Sequence, residues 1–224
     1  MRRVAVKEEV PSLPLGSRLL NSGYTQEALV CFLEVRDEYR QANDGSSSAE
    51  IEQLLGICYR ILGRYDMAGR AFRIAFALTE DNVRRGSIDR DWAMVPFARG
   101  QYDVAHAALD SALELIAQSD PLEYAATMGF KARVYAREGD VARANDYYRT
   151  VDGMIRRSDD SDKRKAIYEL NNLVWWLKTA KGVRRRKQLA ARARKLASDA
   201  GNRQRQAQIA MLLFCRPLAM YIAG

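Results

Sequence analysis

Hydrolytic, redox or metal chemistry needs histidines, cysteines or carboxylates gathered at fixed spacings. The 224 residues hold one histidine, His106. It stands beside Ala105 in a stretch whose spacing predicts a helix, where a packing role suits it better than catalysis. Cys31, Cys58 and Cys215 share no metal-binding or redox spacing, and each lies in an apolar run, as small buried hydrophobes do. The acid pair Asp159-Asp160 falls in a polar stretch, 157–162, that reads as loop and helix cap. Neither a glycine-rich phosphate loop nor a nucleophile elbow occurs. No catalytic residue, metal ligand or cofactor is expected, and the chain reads as non-enzymatic.

Recognition is the chemistry left, and the charge is unevenly spread for it. From Lys178 onward there are 12 Lys/Arg against one acid, Asp199, so this end is near +11 while the preceding body is near −3. Lys181, Arg184, Arg185, Arg186, Lys187 and Arg192 are the candidate phosphate ligands of that run, with an affinity expected to fall as salt rises. A solvated outer face is the plainer account, and an acidic protein partner is a third. No aromatic residues interleave with the run beyond Trp175 and Trp176.

The elements that would position these residues are helices. Pro (5) and Gly (14) are scarce, clean alternating strands are missing, and long Ala/Leu/Arg-rich stretches are punctuated by Gly23, Gly63, Gly100, Gly139 and Gly182. Their spacings are 40, 37, 39 and 43 residues, which predicts repeated helical hairpins. Between them, 43–48 reads as a loop by composition, and Ser119-Asp120-Pro121 reads as a helix start because Pro is tolerated in the first turn. In the stretch 55–75, Leu55, Gly56 and Tyr59 share one helix face, and Ala68, Phe72 and Ala75 share the next. Small residues at Gly56 and Ala68 let two backbones approach, while Tyr59 and Phe72 fill the space beside them. Such a hairpin must stack on copies of itself to bury its apolar face.

This stretch resembles the tetratricopeptide repeat (TPR) signature at all eight marker positions. A minimal repeat of that family is about 34 residues, so the longer spacing here implies elongated helices. The fifth unit departs from the pattern, with Lys187 where the inner Ala should be. The resemblance implies an all-α fold, a right-handed α-α superhelix of about five hairpins plus a C-terminal helix. The expected organisation is a flexible N-terminus at 1–10, a repeat array over 11–199 and an apolar C-terminal helix over 200–224.

Arrays of this family bind extended peptides or partner helices in a concave groove lined by the first helix of each hairpin. Carried onto this sequence, the lining would be Glu50, Gln53, Ile57 and Arg60, then Arg90, Met94 and Phe97, then Arg133 and Arg137, and finally Glu169, Asn172 and Trp176. The arginines would pair with acidic groups, Asn172 would hold a peptide amide and Trp176 would anchor a side chain. The carboxylate clamp of chaperone-binding members needs Lys and Asn where this chain has Leu13, Ser17, Gln53 and Ile57, so that ligand class is not expected. The expected function is a protein-interaction scaffold with an acidic protein or peptide partner. The alternative is a nucleic-acid-associated protein using the basic 178–205 face.

Residues 209–223 are apolar nearly all round, interrupted by Arg216 and Pro217. They would pack on their own last hairpins or cover a second copy in a homodimer. No segment approaches the roughly 20 apolar residues of a membrane span, nor does a signal peptide open the chain. A cytoplasmic location is expected and a membrane is not the expected partner.

Overall fold

Each predicted hairpin begins where a short polar side chain can satisfy the orphan N–H groups of a helix N-terminus. The computed structural model describes residues 10–42, 44–117, 119–200 and 203–214. Residues up to Leu115 form one compact unit and those from Ile116 a second. The first holds α1 (Leu13–Asn21), α2 (Thr25–Gln41), α3 (Gly45–Ile61), α4 (Tyr65–Ala77), α5 (Asn82–Ala98) and α6 (Tyr102–Ile116), whose last residue falls to the second unit. The second holds α7 (Pro121–Glu138), α8 (Val141–Arg157), α9 (Asp162–Thr179), α10 (Val183–Asp199) and α11 (Arg203–Phe214). No strand occurs among the described residues.

Asp120 accepts from the Leu122 and Glu123 N–H groups, and Pro121 opens α7 as its type predicts. The 43–48 stretch corrects the loop reading. Asp44 accepts from the Ser47 N–H at 3.0 Å, which makes it an N-cap and leaves Gly45 to Ser48 as the first turn of α3. All five breaking glycines take positive φ, from 74° to 94°. At Gly139, with φ 94°, the left-handed conformation ends α7 and turns the chain into α8.

In the first unit α1 packs on α2 and α3, and α3 packs on α4 and α5, so the first helices of successive hairpins are neighbours. Phe32 and Phe72 are buried in the matching place of the first two hairpins, each against a glycine of the preceding helix, Gly16 and Gly56. Leu29, Ile51, Leu55 and Ile88 complete this core. Burial of each such side chain contributes about 1.5–3 kcal/mol.

The second unit repeats the plan. Its first helices α7 and α9 touch, α9 touches α11, and α8 and α10 pack behind them. Tyr148 takes the place that Phe32 and Phe72 hold in the first unit, and Leu173, Trp176, Leu177, Leu189 and Ile209 pack around it. A smaller cluster of Leu122, Ala125, Val151 and Ile155 closes the start of α7. Of the apolar tail, Ile209 is buried at 0% exposure and Met211 is exposed at 63%. Cys215, Arg216 and Pro217, and with them most of the expected dimer segment, lie outside the described residues.

Candidate functional site

The first helices of the second unit carry a column of stacked cations and rings. Gly129, Arg133 and Arg137 recur at four-residue spacing on α7, which puts them on one face. The Arg133 guanidinium stands 3.9 Å from the Phe130 ring centroid and 4.2 Å from that of Trp175 on α9. Lys178 Nζ, one turn on from Trp175, stands 3.6 Å from the same indole. Two positive charges are thereby fixed on half-buried aromatic faces, where cation–π attraction is strengthened by desolvation. Arg137 lies exposed one turn along.

Beneath this column lie two polar groups that the fold does not satisfy. Tyr148 is 1% exposed and its hydroxyl makes no hydrogen bond. Burial raises its pKa further above the phenol range than the Arg133 charge pulls it back. Asn172 is 6% exposed, and its Nδ2 donates to the Tyr148 carbonyl at 3.2 Å. Asn172 Oδ1 accepts nothing and faces the space left by Gly129, where a Cβ would stand 4.0 Å from it.

Trp176, expected as the exposed anchor, is a core residue. It is 2% exposed, its ring stacks on Tyr148 with centroids 6.1 Å apart, and its Nε1–H donates to Asn145 Oδ1 at 2.7 Å. Its neighbour Trp175 is the indole at the surface. Asn172, expected to hold a peptide amide at the groove surface, is likewise buried, with only Oδ1 left to offer.

In the first unit the corresponding helices, α3 and α5, bring Gln53, Arg60, Arg90 and Asp91 into one polar cluster. Gln53 Nε2 donates to Asp91 Oδ2 at 2.7 Å and to Ser87 Oγ at 3.2 Å, and Arg90 Nη2 donates to the same Ser87 at 2.9 Å. Burial lowers the Arg60 pKa, and the Asp91 charge works against that shift. Two guanidinium groups thus share one nearby carboxylate, a local excess of positive charge. Glu50 is tied to Arg84 at 3.3 Å, and Met94 is buried. Phe97 packs at the α5–α6 elbow with its centroid 6.1 Å from that of Tyr102.

The basic run divides by task. Arg192 bridges Asp152 on α8, at 2.7 Å, and Glu169 on α9. Burial opposes its charge, but the hydrogen bonds to both acids outweigh burial and raise its pKa. Arg186 donates to the Leu177 carbonyl at 3.0 Å and to that of Leu212, closing the ends of α9 and α11. Arg185 lies over the Trp176 ring at 4.3 Å. Lys181, Arg184 and Lys187 are exposed around the start of α10, whose first turn has no acid and whose N-cap, Gly182, brings no side-chain acceptor. Positive side chains there oppose the helix dipole, so they do not stabilise the helix.

No family model matches the sequence, and no curated protein matches it. Solved structures do. A kinesin light chain with nearly identical TPR-like repeats from Podosopora anserina aligns over 84% of this chain and 94% of its own, with 16% identity and a TM-score of 0.52. BtubC from P. vanneervenii aligns over 84% and 79%, with 17% identity and a TM-score of 0.55. PilF of Pseudomonas aeruginosa aligns over 89% and 87%, with 18% identity and a TM-score of 0.51.

The fold is TPR-like.

The TPR-like pattern located the faces of α3, α5 and α7 but missed Phe130, Trp175 and the Tyr148 hydroxyl. A signal for the last was present, since Tyr148 stands where the TPR-like hairpins of the first unit carry Phe. Among the described residues no group of three or more His, Cys, Asp or Glu is placed to hold a metal ion, and no helix is long and apolar enough to cross a membrane.

Proposed function

We propose that the chain is a non-enzymatic protein-interaction module that receives an extended peptide or a partner helix on the first helices of its TPR-like hairpins. The observation that carries this reading is the Phe130–Arg133–Trp175–Lys178 column. It combines fixed charge with aromatic area, the pairing that supplies most of the energy in protein interfaces. Arg60 and Arg90 add a second positive spot on the corresponding face of the first unit. Both spots favour a partner rich in Asp and Glu.

Selection of a displayed random-peptide library on the purified protein tests the reading. Enriched peptides should bind, and Arg133→Glu with Arg137→Glu should abolish their binding while the fold is retained. Failure to enrich any sequence, or binders indifferent to that charge reversal, would sink it. The nucleic-acid alternative rests on Lys181, Arg184, Arg185 and Lys187 alone, because Arg186 and Arg192 are committed within the fold.

A further inference from the structure

Hairpins of this kind place a large ring between the first helix of one hairpin and that of the next. In the first two hairpins the ring is apolar, Phe32 at 0% and Phe72 at 1% exposure. In the hairpin formed by α7 and α8 it is Tyr148, equally buried at 1%, with a hydroxyl that meets no partner. A phenyl ring would fill the same space without stranding a donor, and a buried unsatisfied hydroxyl works against folding. A second orphan, Asn172 Oδ1, lies on the adjoining helix, while its Nδ2 is already spent on the Tyr148 backbone. The chain has therefore kept one buried donor and one buried acceptor side by side, both beneath Arg133.

Gly129 opens the way to them. It is itself buried, yet an added Cβ would come no nearer than 4.0 Å to Asn172 Oδ1. The surrounding charge is one-signed. Arg133, Arg137 and Lys178 border the spot, and the nearest acid on α9 facing α8, Glu169, is held by Arg192.

We infer that Tyr148 Oη and Asn172 Oδ1 are the floor of an acid-reading subsite, which takes a Glu or Asp side chain of a bound peptide beside the Arg133 guanidinium. This rests on the interaction reading above and adds the chemistry of one partner residue. The carboxylate accepts from the Tyr148 hydroxyl and from Arg133, and a ligand N–H satisfies Asn172 Oδ1. A carboxylate is the acceptor that gains most here, because charge-assisted hydrogen bonds are roughly twice as strong as neutral ones. A glutamine side chain would bring its carbonyl to Tyr148 but leave Arg133 without an anion.

The deciding variant is Tyr148→Phe in the full chain, read by thermal melting and by fluorescence anisotropy with two probes, labelled hexaglutamate and labelled hexaglutamine. Removing an orphan hydroxyl should raise the melting temperature by about 2–6 °C. The same change should weaken hexaglutamate binding by about tenfold to a hundredfold, the loss expected for a charge-assisted hydrogen bond. Hexaglutamine should not bind either protein, and hexaglutamate should shift the Trp175 indole N–H resonance. Equal hexaglutamate affinity for wild type and Tyr148→Phe would overturn the inference, as would a lower melting temperature for the variant, which would make the hydroxyl a part of the fold. Binding lost only on Arg184→Glu with Arg185→Glu would move the anion to α10 and overturn it too. Should the wild type ignore hexaglutamate altogether, the acid-reading subsite is wrong, whereas the interaction reading is judged separately by the peptide selection.

Discussion

A Cβ built on Gly56 would stand 2.7 Å from the Phe72 ring, and one built on Gly16 would stand 2.4 Å from Phe32. Helix α3 and helix α4 meet through this bare backbone. Alanine is ordinarily the better helix former by about 0.5–1 kcal/mol, so the sign of a substitution separates packing from propensity. Gly56→Ala should destabilise by about 1–3 kcal/mol through overpacking, with part of the loss recovered in Gly56→Ala/Phe72→Leu. Gly69 lies mid-helix in α4 with nothing within 4 Å of its Cβ position. Gly69→Ala should stabilise by about 0.5–1 kcal/mol. Urea unfolding of the three variants checks both, and a Gly56→Ala protein as stable as wild type would refute the close approach.

Arg192 and Arg184 sit eight residues apart on one helix and should behave oppositely. Removing Arg192 strips Glu169 of its cation and leaves Asp152 with Arg156 alone, at 3.2 Å. Arg192→Ala should cost about 1–3 kcal/mol, while Arg184→Ala, at an exposed position, should stay within about 0.5 kcal/mol of wild type. Thermal melts rank them. The same pair bears on the nucleic-acid alternative. If labelled duplex DNA binds with a steep salt dependence, Arg184→Glu with Arg185→Glu should abolish binding without moving the melt.

Glu52 is 3% exposed, and its carboxylate takes Arg40 Nη2 at 2.7 Å. Burial raises its pKa above the ordinary 4.5, and Arg40 offsets that only in part. A carboxyl with a raised folded-state pKa stabilises most fully below its unfolded value, and that contribution is lost as pH rises through the folded one. Glu52→Gln keeps an acceptor for Arg40, which is 42% exposed and remains hydrated. The variant should match wild type near pH 4 and exceed it at pH 7. Denaturant midpoints across that range decide it, and a variant weaker than wild type at pH 7 would mean the ion pair outweighs burial.

Much of this was legible in the sequence, and the failures have physical causes. Breaking glycines and the Gly56–Phe72 spacing could be read because backbone conformation and close packing admit few residue types. Trp175 and Trp176 could not be told apart, since adjacent helical residues point about 100° away from each other and the fifth repeat had lost the alanine that fixes its register. Composition alone suggested a loop at 46–48, whereas one capping carboxylate, Asp44, makes it helix. Nothing local announces that Arg192 will meet Asp152, forty residues earlier. Half of the basic run therefore looked freer than it is.

Burial at 0% exposure pushes the Cys58 thiol up to about 12. Thiolate is the reactive form, so iodoacetamide at pH 8 should leave Cys58 untouched in the folded protein and alkylate it in urea. Peptide mapping by mass spectrometry reads this directly, and native-state labelling as fast as in urea would contradict the buried placement.

The hydroxyl of Tyr148 also has a meaning in the currency of genes. Tyrosine and phenylalanine codons differ by one base, and the change to Phe would give a sturdier protein with the ring unaltered. Drift alone should erase the oxygen in lineages that do not use it. Position 148 is thus a marker that can be read from bare sequence: related chains that bind the same acidic partner should keep Tyr there, and those that have left it should show Phe.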